Sequence, residues 1–232
     1  MFAWMMTVGA SFLKPEFWLE KAGKSAMYAV TAIIFAESGL FFGFFLPGDS
    51  LLFMTGFLTS GAAKTFAAQN NLTQVVAHIP SLPIVCLVLF VAAVAGDQVG
   101  FLFGRKVGPA LFTRPNSRFF KQEHVARAHE FLEKNGPKTV LLARFIPVVR
   151  TFTPIVAGVG RMRYRTFFAF NVVGGFVWAV GVTALGAALG KVSFVRNNIE
   201  YTIIAVILLS LLPVFIELVR ARRNKQADAP AR

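Results

Sequence analysis

At 232 residues the chain has the length of one or two soluble domains, but its composition excludes a soluble fold. Hydrophobic residues make up 56%, charged residues 15%, and Phe alone occurs 26 times. A soluble domain carries about 25% charge, and a disordered chain is poor in apolar residues, so an integral membrane protein remains. The single Cys (Cys86) excludes a disulfide framework or a thiolate metal cluster. In a soluble protein the net charge of +13 would point to nucleic acid. Here the basic residues flank apolar runs, as in the cytoplasmic loops of membrane proteins. The expected partners are therefore membrane lipids, and not nucleic acid.

Residues 1–24 read as an N-terminal segment. Met1–Leu13 is apolar but has no leading positive charge and no clear cleavage site, so a signal peptide is not expected. A single membrane domain is expected over residues 25–219. It holds six apolar segments: Ser25–Pro47, Ser50–Ala68, Pro83–Gly104, Thr139–Gly160, Thr166–Gly190 and Tyr201–Val219. Each is near the roughly 20 residues that spanning requires. Asn116–Asn135 reads as an amphipathic helix on the cytoplasmic interface, with Phe120, His124, Ala128, Phe131 and Leu132 near one face. Residues 220–232 form a basic tail, and Arg220, Arg222, Arg223 and Lys225 place the C-terminus in the cytoplasm.

Loop charges expose a conflict. Arg105–Lys138 holds eight Lys and Arg, and Arg161–Arg165 holds three Arg, so both are expected inside. Thr139–Gly160 lies between them and cannot cross once and satisfy both. It also contains Pro147 and Pro154, each of which removes a helix hydrogen bond. A re-entrant hairpin resolves both facts. Pro47-Gly48, a turn signal, similarly breaks the earlier run, and Asp49 or Ser50 could cap the helix that follows. Paired interruptions in two halves point to a transporter of inverted repeats. The expected fold is an all-α polytopic membrane protein, with two broken re-entrant hairpins and transmembrane helices in an inverted-repeat arrangement.

Four charges interrupt these segments: Glu37, Asp49, Arg144 and Arg150. Each costs roughly 2.5–3.5 kcal/mol at the bilayer centre on insertion scales, so pairing, a wet cavity or both are required. Arg144 and Arg150 stand six residues apart, about 600° around an unbroken helix. A break at Pro147 would let both aim at one cavity. Two guanidiniums beside broken helix ends form an anion site, because the planar fork matches phosphate bidentately. The competing reading makes them ion pairs with Glu37 and Asp49 that staple the hairpins. Glu37 has no local turn chemistry and reads as a functional acid, with proton coupling as the role to test. Asp97, in Gly96-Asp97-Gln98, is placed near a helix end in a secondary role.

His78, His124 and His129 lack metal spacing. No metal or other cofactor is expected. Trp4, Trp18 and Trp178 are candidate interface anchors or core. With no P-loop, no Ser/His/Asp set and no zinc motif, an enzyme is not expected.

The same residues carry a family resemblance. The stretch from Phe35 through Glu37 to Pro47-Gly48-Asp49 resembles the first motif of the DedA (VTT, or SNARE-associated domain) family. Gly96-Asp97-Gln98-Val99-Gly100 with Gly104-Arg105-Lys106-Val107-Gly108 is similar to its central segment. Ala143-Arg144-Phe145-Ile146-Pro147-Val148-Val149-Arg150-Thr151 is similar to its most diagnostic block. The matches keep the family's order over about residues 28–190. The resemblance implies a multi-pass bacterial inner-membrane protein with two re-entrant hairpins. It also implies transport of lipid-linked carriers, notably undecaprenyl phosphate, or phospholipid translocation, with dependence on proton-motive force. Glu37, Asp49, Arg144 and Arg150 would be the functional residues. On these grounds the expectation is a translocator of a polyprenyl phosphate. A general phospholipid scramblase and a non-transporting structural protein are the alternatives, and self-association is left open.

Overall fold

The computed structural model describes residues 15–40, 46–112, 140, 144, 147–192, 194, 195, 198, 201 and 202. The expected amphipathic helix at 116–135, nearly all of the last apolar segment, the basic tail, Trp4, His124 and His129 lie outside them. Among the described residues, all regular structure is helical. Helix α1 spans Pro15–Ala22, with Glu16 in its first turn and Lys21 in its last, each complementing the helix dipole. A 3-10 turn at Gly23–Ser25 leads into α2, Ala26–Gly39. Helices α3 (Gly48–Thr59), α4 (Lys64–Gln69) and α5 (Thr73–His78) follow, then α6 (Leu82–Phe112). After Arg144, in a turn, come α7 (Pro147–Val159), α8 (Tyr164–Gly175), a π-helical segment at Phe176–Val180, and α9 (Gly181–Leu189).

Two described stretches are long and apolar enough to cross a membrane: Leu82–Val107 and Tyr164–Leu189, each 26 residues. At 1.5 Å per residue they run about 39 Å, more than the roughly 30 Å hydrocarbon core. In three other apolar segments the described helices are shorter than the expected spans. Helix α2 has 14 residues, α3 has 12 and α7 has 13, or roughly 18–21 Å each. Ser50–Ala68 is not one helix, because the chain turns extended at Ser60. Residues Leu51–Leu58 of α3 are buried all round, as a helix enclosed by protein must be.

Pro154 was expected to break its segment and does not. It sits inside α7, with its ring against Gly100 of α6. Pro147, by contrast, is the first described residue of α7, where a missing N–H is tolerated. The end of α7 is closed by a residue the sequence did not flag. Met162 N–H donates to the Ala157 carbonyl at 3.0 Å and Arg161 N–H to that of Gly158 at 3.1 Å. Arg161 has φ 55°, so an arginine occupies the left-handed position usually given to glycine.

Helix α6 is the central post. Helix α2 packs along one side and α7 along another, while α9 packs on α3. These crossings need small residues. A Cβ added at Gly39 or Gly96 would fall on the other helix's backbone, so α2 and α6 meet main chain to main chain. The same holds where α7 crosses α6 at Gly104 and Gly158, and where α9 crosses α3 at Gly56 and Gly186. A large apolar cluster joins α1–α5, the first half of α6 and Trp178. A small one holds Phe101, Val140, Ala157 and Phe167, with the Phe101 and Phe167 rings stacked at 4.4 Å. The buried charges lie where the two clusters meet.

Candidate functional site

Five ionisable side chains converge in the interior. Glu37 comes from the last turn of α2, Asp49 from the first turn of α3, and Asp97 from the middle of α6. Arg144 comes from the turn before α7 and Arg150 from its first turns. Glu37 is 2% exposed, Asp97 4%, Arg144 5% and Arg150 8%.

Arg150 binds both Glu37 and Asp49. Its Nη2 donates to Glu37 Oε1, and its Nη1 to Asp49 Oδ1 at 2.7 Å. This one side chain therefore ties α7 to both sides of the Pro47 break. Glu37 reaches the site because residue 48 has no side chain. A Cβ at Gly48 would overlap the Glu37 carboxylate, so the glycine serves close approach as well as the turn. Of the two readings the sequence left for Asp49, an N-cap or an ion-pair partner of the arginines, the cap is not formed. Pro47 occupies the cap position of α3 with no side-chain cap bond. The Asp49 carboxylate turns instead to Arg150 and to the Trp178 indole, whose Nε1–H donates to Oδ1 at 2.6 Å.

Arg144 forms a second centre, and its partner differs from the expected one. It pairs with Asp97, not with Glu37 or Asp49. Asp97 lies fifteen residues from either described end of α6 (Leu82–Phe112), so it is not near a helix end. Arg144 Nη1 also donates to Asn171 Oδ1 at 2.7 Å, while Asn171 Nδ2 donates to the Val94 carbonyl at 3.3 Å. Gly175 lets α8 lie close to α6 beside this guanidinium, since a Cβ there would fall 2.9 Å from Val94 Cγ2.

Both arginines line one narrow cleft, with Ser38, Asp97, Val140, Thr153, Pro154 and Phe167. It is too thin for more than about one water molecule. Trp178 stands beside both, with its ring 4.4 Å from Arg150 Cζ and 5.4 Å from Arg144 Cζ. Among the described residues, Nε of each arginine is buried without a hydrogen-bond partner. The site thus holds three carboxylates against two guanidiniums and retains unsatisfied cationic donors.

Sequence reasoning missed Asn171, and it read Trp178 only as an interface anchor or core. An Asn in an otherwise uncharged spanning segment was a signal, because a polar amide in lipid needs a partner. Trp178 gave no comparable signal. No group of three or more potential metal ligands occurs among the described residues. His78 is exposed, with its Nδ1 2.9 Å from the Gln74 carbonyl.

These residues fall within the span that comparison with known proteins picks out. The VTT domain matches residues 24–188. The chain belongs to the VTT-domain, or DedA, family. An uncharacterised membrane protein of Mycobacterium leprae is 43% identical over 221 residues, covering 94% of this chain and 91% of its own. Protein DedA of Escherichia coli K12 is 40% identical over 198 residues, covering 85% and 84%. The inner membrane protein YqjA of the same strain is 32% identical over 164 residues, covering 71% and 67%. No solved structure matches the chain. All five charges of the site lie inside the VTT span, and the protein is a DedA-family membrane protein.

Proposed function

We propose that this DedA-family protein translocates a phosphate-bearing lipid, with a polyprenyl phosphate such as undecaprenyl phosphate as substrate. The observation that carries the reading is the pair of arginines lining one narrow cleft, each with a buried Nε unpaired among the described residues. The planar fork of Arg binds phosphate bidentately. Arg144 and Arg150 are the phosphate ligands in this reading. Glu37 and Asp49 hold Arg150 in the closed, empty state and are the groups a phosphate must displace.

Charge counting supports coupling to protons. With every group ionised the cluster carries three negative and two positive charges, so an incoming phosphate meets a net repulsion. Neutralising one carboxylate removes it, and Glu37, the most buried acid, is the group to which the proton is assigned. The short helices α2, α3 and α7 fit an inverted-repeat arrangement of two hairpins that enter and leave on one side, with the site at the contact of the halves. We place the protein in a bacterial inner membrane with the C-terminus inside, and assign it no catalytic reaction.

A second reading is favoured by one observation: both terminal nitrogens of Arg150 are already paired with carboxylates. A purely structural staple would look the same. Reconstitution in liposomes with a reporter of polyprenyl-phosphate sidedness separates the readings. Transport is expected in the wild type and is lost in Arg144→Lys, which keeps the charge but not the fork. A folded wild type that leaves the phosphate lipid on its original side would refute the proposal, and movement of phosphatidylglycerol at the same rate would favour a general scramblase. Chemically altered lipid after incubation would mark an enzyme.

A further inference from the structure

The second spanning stretch is not α-helical throughout. Phe176–Val180 is π-helical, and Trp178 lies at its centre. A π turn holds an extra residue and rotates the side chains that follow, and such turns recur at functional sites. Here its consequence is local. Phe176 and Val177 face outward, while Trp178 is buried at 4% exposure and turned to the charges.

The contacts of that indole are specific. Its N–H donates to Asp49 Oδ1, the same oxygen that accepts from Arg150 Nη1. Its ring lies beside the guanidiniums of both Arg150 and Arg144, within the roughly 6 Å at which a cation is drawn to an aromatic face. Among the described residues, one side chain therefore touches both cations and one of the carboxylates that compete for them.

We infer that Trp178 is a positioning residue for the bound anion. It retains Asp49 by the indole N–H when a phosphate takes that carboxylate's place on Arg150, and it keeps both guanidiniums beside one ring, at the cleft they line. The inference rests on the phosphate reading above. The indole is not itself a ligand, because its N–H is committed to Asp49. Without the N–H, Asp49 follows Arg150 and competes with the phosphate. Without the ring, the two guanidiniums lose their common surface and the anion loses its paired forks.

The test uses the full-length protein in detergent, with farnesyl phosphate and farnesol as probes that share a tail and differ in charge. The wild type is expected to bind the phosphate more tightly. Trp178→Phe keeps a ring and removes the N–H, and should weaken the phosphate by about threefold. Trp178→Leu removes both and should weaken it by about tenfold, with farnesol affinity unchanged in each. A packing role alone would lower the melting temperature and leave the phosphate-to-alcohol ratio intact. In a Trp4→Phe, Trp18→Phe background, Trp178 is the sole tryptophan, and its emission should shift with the phosphate and not with the alcohol. Should Trp178→Leu fail to fold, Trp178→Phe and the emission measurement decide. A wild type that prefers phosphate, with Trp178 variants of equal preference and silent emission, overturns this inference and leaves the phosphate site standing. A wild type that binds both probes equally overturns the phosphate reading and the inference with it.

Discussion

Replacing Asp97 by Asn tests whether Arg144 belongs to a centre of its own. The substitution keeps shape and volume, so no cavity term enters. It removes the carboxylate that pairs with Arg144 in surroundings where Asp97 is 4% and Arg144 5% exposed. Breaking a buried pair by removing one partner costs about 3–5 kcal/mol, because a desolvated charge is left behind. The lower end applies here, since Arg144 Nη1 keeps its bond to Asn171 at 2.7 Å. The expected loss is therefore about 3 kcal/mol. Arg144→Met alone leaves Asp97 uncompensated and should cost a similar amount. The double variant removes both charges, and it should lose less than the sum by about 2 kcal/mol or more. Denaturant titrations of the four proteins in mixed micelles measure this. Glu37→Gln combined with Arg144→Met should come closer to adding, because those two side chains share no hydrogen bond. Strong coupling of Arg144 to Glu37 with none to Asp97 would refute the two-centre arrangement.

Three further outcomes are expected. Glu37→Gln should fold yet lose transport in the liposome assay, since it keeps the shape and removes the titrating charge; transport at the wild-type rate with unchanged pH dependence would remove Glu37 from the coupling role. Gly96→Ala should lower the melting temperature sharply, because its Cβ would meet the Phe35 carbonyl on α2, whereas Gly181→Ala, with nothing within 4 Å, should change it little; similar effects at both sites would mean that α2 and α6 do not meet main chain to main chain. Cys placed at Phe194, 71% exposed, should react with an impermeant reagent from outside, and Cys at the exposed Arg163 only from inside; labelling of both from one side would contradict a spanning Tyr164–Leu189.

Composition and hydropathy alone determined the solvent of this protein, because 15% charge cannot cover a water-facing surface. They also picked out Glu37, Asp49, Arg144 and Arg150, since a charge in an apolar run is costly wherever the fold places it. The break at Pro47-Gly48 was legible because proline and glycine act locally on the backbone. Partnership was not legible. Arg150 reaches Glu37 and Asp49 across 113 and 101 residues, and Arg144 reaches Asp97 across 47. Which acid meets which arginine depends on how α2, α3 and α7 pack on α6, and no local pattern encodes that. Pro154 shows the same limit, as packing against Gly100 keeps the helix running where propensity argues for a stop. The role of Trp178 was the least accessible. An indole among apolar residues reads as core in any sequence, and only the π turn, a property of the folded backbone, rotates it onto two arginines and an aspartate.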